Sequence, residues 1–207
     1  MVIRGAVLSK KEILDVIASE IVVCTKCRLH KSRTNAVPGD GDPNGKIMLV
    51  GEGPGRSEDV QGKPFVGAAG KFLNSLLDEA DLPREGVYIC NIVRCRPPNN
   101  RDPLPDEIET CTPYLNRQIV AIQPSFIVTL GKHSTDYLFS RAKLSFAGIT
   151  NVRGRFFEID LLNLKTTVFP TFHPAAGLYN PEYKKQLIRD FQLFGHELKK
   201  GHRRNYR

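Results

Sequence analysis

The run KIMLV, Lys46 to Val50, constrains the fold more than any other stretch of the chain. Its four apolar residues leave no polar face, so a strand built from them must be covered on both sides. The chain supplies the cover in alternation. VYICNIV, SFIVTLG, GRFFEID and TTVFPTF read as further strands. LSKKEILDVIASEI, AAGKFLNSLLDEA, PDEIETCTPYLNRQIVAI, KHSTDYLF and NPEYKKQLIRDFQLFGHELKK read as helices. The first of these offers a capping box, with Ser9 as N-cap and Glu12 at N3, and an apolar stripe at Ile13, Ile17 and Ile21. The second puts Phe72, Leu73, Leu76, Leu77 and Ala80 on one face. The third begins near Pro105, and Pro113 inside it is a candidate kink. Strands alternating with helices give a parallel sheet with helices on both faces.

Sheets of this kind gather ligands at the carboxyl ends of their strands. The turns to inspect are therefore those at Gly51, Asn91, Gly131 and His173. The first, VGEGPGRSED, has the glycines of a phosphate loop but not its chemistry. A P-loop needs Gly-x4-Gly-Lys-Ser/Thr, and a dinucleotide fingerprint needs a glycine where Arg56 stands. Glu52, Glu58 and Asp59 would repel a phosphate. They suit a water or a polar substrate that donates hydrogen bonds; a plain strand-to-helix turn with solvated acids is the other reading. In KPFVGAAGKF, Phe65 lies outside any apolar stripe, free to stack on a planar ring or to cover the core. His173 leaves the sheet at FHPAAGLYNP, where it could donate to a developing anion. His133, in LGKHST, has a similar position with less to recommend it.

At 207 residues, 41% hydrophobic and 25% charged, the chain fits one globular domain spanning 1–207. It has no run of 18 apolar residues and no signal-peptide core near its start, so an intracellular protein without a membrane span is expected. The net charge of +8 suits a polyanionic partner or simply a well-solvated surface. Residues 199–207, KKGHRRNYR, read as a mobile basic tail. The cysteines are Cys24, Cys27, Cys90, Cys95 and Cys111; an odd count argues against a disulfide framework. Cys24-x-x-Cys27 follows a helix and precedes RLHKSR. It therefore lacks the strand-to-helix setting of a thioredoxin-like redox pair.

Taken in order, CTKC, GEGPGRSED, GKPFVGAAGKFL, CNIVRCRPPNNRDPLPDEI with Cys111 beyond it, and FHPAAGLYNPEYK resemble the family 4 uracil-DNA glycosylases, the thermostable iron-sulfur branch of that superfamily. The resemblance runs from about Cys24 to the end of the last helix. It implies a three-layer α/β/α fold with a central, mainly parallel four-stranded sheet. It also implies a 4Fe-4S cluster on Cys24, Cys27, Cys95 and Cys111, a structural group pinning loops near DNA. Zinc on the same four thiolates is chemically open, and Cys90 is left over as a small buried residue. The reaction implied is hydrolysis of the N-glycosidic bond of deoxyuridine, leaving free uracil and an abasic site, in base excision repair.

Roles follow from matched positions. Asn91 resembles the asparagine that reads uracil, Phe65 the ring stacked on it, and His173 the donor to O2 as charge builds. Backbone amides at Glu52 and Gly53 would touch the base. The best-known uracil glycosylases carry an aspartate where this chain has Gly53, so neighbouring Glu52 becomes the candidate for orienting the water. Glu58 resembles the side chain that fills the space of a thymine methyl. Leu178 is the candidate wedge into the duplex. Arg94, Arg96 and Arg101 are candidates for phosphate contacts, or exposed loop charges. Uracil-containing DNA, single- or double-stranded, is the expected partner of a monomer in a prokaryotic cytoplasm. A replication-clamp or polymerase partner is left open. The lack of tryptophan and the two methionines point weakly to a thermophile. Two rival readings remain: a non-catalytic metal module that binds nucleic acid, and a glycosylase of shifted base specificity, such as hypoxanthine.

Overall fold

Burial of Ile47 to Val50 on both faces is what the fold delivers. The computed structural model describes residues 2–3 and 6–204, and side chains from residue 8 to residue 200. A short antiparallel pair, β1 (Val2–Ile3) and β2 (Ala6–Val7), precedes α1 (Lys10–Val22). Then follow β3 (Asp40–Gly41), β4 (Ile47–Gly51), α2 (Arg56–Gln61), α3 (Ala68–Glu79), β5 (Tyr88–Asn91) and α4 (Pro105–Ile122). The chain continues through β6 (Phe126–Leu130), α5 (Lys132–Arg141), α6 (Ile149–Val152), β7 (Phe157–Leu161), β8 (Leu164–Thr171), α7 (Pro174–Tyr179) and α8 (Pro181–Arg204).

The sheet runs β3-β5-β4-β6-β8-β7. Its four central strands are parallel, as expected. The expectation of a four-stranded sheet is nevertheless corrected: β3 and β7 add antiparallel edges and make six strands. The sequence hid β3 because it is two residues, Asp-Gly, inside a Gly/Pro-rich loop with no apolar pattern. Gly41 makes the pairing feasible. It has φ +124°, and a Cβ there would run into the Val87 carbonyl.

Alternation along the strands divides the core into two layers. Met48 and Val50 join α1, α4 and α5 through Ile17, Ile21, Leu115, Ile119 and Phe139. Ile47 and Leu49 join α3 and α8 through Leu73, Leu76, Leu77, Phe191 and Phe194. Burying each such side chain contributes about 1.5–3 kcal/mol. The Ser9 capping box forms as read: Ser9 Oγ accepts from the Glu12 amide at 3.3 Å and Glu12 Oε2 accepts from the Ser9 amide at 2.8 Å. α4 runs through Pro113 as one helix. Cys90 lies in β5, fully buried. The segment read as a mobile tail from Lys199 is helical as far as Arg204, and Lys199 pairs with Asp81. Residues 205–207 lie outside the described residues. Among the described residues no helix is long and apolar enough to cross a membrane.

Candidate active site

The parallel register sets the carboxyl ends of β5, β4, β6 and β8 side by side, and a cleft of about 260 Å³ opens above them. β5 ends on Asn91, which pairs in register with Gly51 at the end of β4. Asn91 is 1% exposed, lines the cleft, and its Oδ1 has no hydrogen-bond partner among the described residues. A buried amide oxygen without a partner is costly unless a ligand completes it. Gly51 is what leaves room. A Cβ there would strike Asn91 Oδ1 and come within 2.8 Å of the Phe65 ring. Phe65 holds a left-handed backbone at φ 52° and stacks on the His173 ring, with centroids 5.7 Å apart and planes 29° from parallel.

His173 is the N-cap of α7. Its Nδ1 accepts from the Ala175 amide at 3.2 Å. Burial pushes its pKa below the ordinary imidazole value, against the opposing pull of Glu52 and Glu58. A neutral ring whose Nδ1 accepts carries its proton on Nε2. His173 therefore presents an N–H donor without a positive charge.

Glu52, at the end of β4, is held by the start of α5. Its Oε1 accepts from the His133 amide at 3.2 Å. His133 Nε2 stands 3.0 Å from Asp102 Oδ2, and these two side chains and Glu52 place their ligand atoms within 4.8 Å of one another. Proximity to His133 and Lys132 lowers the Asp102 pKa, the His133 contact leading. Glu58 lines the cleft while its Oε1 accepts from the Val66 amide at 2.9 Å and the Gly67 amide at 2.8 Å. It thereby tethers the Phe65 turn to α2. Gly53 also lines the cleft.

The four remaining candidate ligands meet on the other side of the proline-rich loop. Cys24 and Cys27 follow α1, Cys95 follows β5, and Cys111 lies on α4; all four border one small pocket. Arg33 Nη1 donates to Cys95 Sγ at 3.0 Å and the Arg94 amide to Cys111 Sγ at 3.3 Å. Burial pushes the Cys27 and Cys95 thiols up, and that of Cys111 up to about 11. Two buried sulfurs that receive hydrogen bonds, Cys95 and Cys111, and two half-buried ones, Cys24 and Cys27, bordered by Lys26, Arg33 and Arg94 with no carboxylate lining the pocket, form a donor set suited to a thiolate-bound metal group.

Residues 38–192 match the family model described as the uracil DNA glycosylase superfamily. The chain belongs to that superfamily. It is 54% identical to a type-4 uracil-DNA glycosylase of Saccharolobus solfataricus, covering 86% of this chain and 83% of the relative. Type-4 enzymes of Archaeoglobus fulgidus and Thermotoga maritima are 48% and 44% identical. The alignments cover 89% of this chain in both cases, and 92% and 94% of the relatives.

The cleft gathers Glu52, Gly53, Glu58, Phe65, Asn91, Arg101 and His173 of the residues singled out in the sequence. Arg94 is a correction. It is 1% exposed and donates to Gln118 Oε1 at 2.6 Å, so it cannot meet a phosphate. An arginine in a polar loop reads as exposed; only long-range packing reveals that the side chain turns inward. Arg101 borders the cleft, but its guanidinium is spent on Glu107, at 2.6 and 2.8 Å. Arg96 is half-buried with its Nε donating to Asn100 Oδ1 at 2.7 Å. Leu178 is 42% exposed on α7, beside Tyr179 at 88%. Sequence reasoning missed Asp102 altogether. No local signal marks it, because its partner His133 stands on α5, across the cleft wall.

Proposed function

We propose that the chain is a monofunctional uracil-DNA glycosylase. It hydrolyses the bond between deoxyribose C1′ and uracil N1 in DNA and leaves an abasic site for base excision repair. One observation carries the assignment of roles: the unpartnered buried Oδ1 of Asn91 faces the same cleft as the neutral His173, whose free Nδ1 lone pair is already used. A carboxamide accepts from uracil N3–H and donates to O4. Cytosine reverses that pattern and would leave both groups unpaired, at roughly 1–3 kcal/mol each. The base reaches the cleft by flipping out of the stack, which costs a few kcal/mol and least at a mispair. Exposed Leu178 fills the gap in the stack.

Phe65 stacks on the extruded ring. As the C1′–N1 bond breaks, its electron pair passes to uracil, and His173 Nε2–H donates to O2 where that charge collects. A neutral donor suits this step, since it is strengthened only as the anion forms. Glu52, anchored by the α5 amide, orients the water that adds to C1′, and its negative charge favours the cationic sugar. Glu58 occupies the position a thymine methyl would need. Arg96 is the remaining candidate for a phosphate contact. The whole chain acts as one monomeric unit in a prokaryotic cytoplasm.

Cys24, Cys27, Cys95 and Cys111 would hold a 4Fe-4S cluster, which cross-links the end of α1, the proline-rich loop and α4. Four thiolates also suit a single zinc; the likeness to the iron-sulfur family favours the cluster. Broad absorption near ~400 nm with stoichiometric iron supports this; a colourless zinc protein rejects it.

The activity is tested by incubation with a uracil-containing oligonucleotide, then alkali to cleave at abasic sites. Wild type should cut at uracil alone, and Asn91→Ala should lose orders of magnitude in uracil release while still binding DNA. Wild-type release by Asn91→Ala would remove it from the site.

A further inference from the structure

Arg94 is the largest fully buried side chain among the described residues, and its head group is a guanidinium cation. Its hydrogen-bond partners are neutral. Nη2 donates to Gln118 Oε1 at 2.6 Å and Nη1 to the Pro38 carbonyl at 3.3 Å, while Nε has no hydrogen-bond partner among the described residues. No carboxylate forms an ion pair with it among the described residues. An isolated charge out of water is among the costliest arrangements a protein can hold. The compensating anion must come from what Arg94 borders, and it borders the pocket of the four cysteines.

That pocket gathers cations. Lys26 and Arg33 line it with Arg94, and no carboxylate does. Four thiolates on an iron-sulfide core leave a net negative group. We infer that Arg94 is the buried counter-cation of the thiolate-bound cofactor, so that its charge and the loaded site stabilise one another and each is costly alone. The inference rests on the cluster reading given under the proposed function. It follows that loading is coupled to the folding of the loop from Arg94 to Cys111 by electrostatics as well as by ligation. The stripped protein is left with an uncompensated charge in its core.

The same full-length protein can be compared loaded and after stripping with an oxidant and a chelator, in four forms: wild type, Arg94→Met, Arg94→Lys and Cys90→Ala. Cys90 is included because its sulfur also neighbours the guanidinium. Read-outs are iron and sulfide content, the rate of iron loss to the chelator, and the thermal midpoint. Loaded Arg94→Met should lose iron about 10-fold faster or more and melt below wild type. Stripped Arg94→Met should melt above stripped wild type, by about 5 °C or more, because the orphan charge is gone. Arg94→Lys should keep the wild-type signs, and Cys90→Ala should behave as wild type.

Equal lowering of both midpoints with unchanged iron loss would make Arg94 a packing and hydrogen-bonding residue and overturn the inference. A Cys90→Ala protein that reproduces Arg94→Met would name the Cys90 thiolate as the counter-ion and overturn it too. If wild type holds no iron, the cluster reading falls and takes the inference with it, whereas uracil release would still stand.

Discussion

His173 can act as a neutral donor because its other nitrogen already serves as the α7 cap. The pH dependence follows. Its folded pKa lies below the ordinary value of about 6.5 because burial outweighs Glu52 and Glu58. As pH falls, the unfolded chain takes up this proton first. The stability tied to the neutral ring is therefore lost from about pH 6.5 down to the folded value. Urea midpoints between pH 7.5 and 5.5 should fall more steeply in wild type than in His173→Gln, and equal slopes would contradict the assignment. Uracil release by His173→Ala should drop ~10²–10³-fold, the scale of one lost anion donor. Gly51→Ala makes a steric case: its Cβ would push on Asn91 and Phe65 together. Uracil release should fall at least ~10-fold through displacement of both groups. Wild-type turnover would mean that the cleft floor gives way freely.

Among the elements, the proline-rich loop is held largely by side chains rather than by a backbone ladder. Glu107 is fully buried in the first turn of α4. It receives both Arg101 nitrogens and the Leu104 amide, the last at 2.8 Å. The Arg101 hydrogen bonds lead in pulling its pKa below the usual carboxylate range. Arg101→Ala would leave the carboxylate with only the Leu104 amide and the more distant Arg28, Nε at 3.8 Å, and so lower stability. The contribution is fully present above the ordinary carboxylate pKa and is lost as pH falls through the lowered folded value. The gap in urea stability between wild type and Arg101→Ala should therefore be widest near neutral pH and close in acid. A gap that stays constant into acid would show that packing, not charge, holds the loop. This element was only half legible. Four prolines excluded regular structure, and its cysteine was placed, but which arginine faces solvent, which a glutamate and which the core depends on residues tens of positions away.

At the scale of the whole molecule, a net charge of +8 and a DNA substrate predict salt-sensitive binding. The apparent Kd for a uracil-containing oligonucleotide should rise with salt at a log–log slope of ~3 or more, as several phosphate contacts require. A flat response would place the excess charge away from the nucleic acid. By itself the sequence determined the order of the main strands and helices and the four turns that meet over the sheet, and it singled out the four cysteines that border one pocket. Each of these is written in local periodicity, in glycine and proline punctuation, or in motif order. Only the tertiary structure decided the two antiparallel edges, the inward turn of Arg94, the Glu58 tether, the Asp102–His133 contact and the protonated nitrogen of His173. Those outcomes turn on which polar group finds which partner once water is excluded, and the partners come together only when distant segments pack.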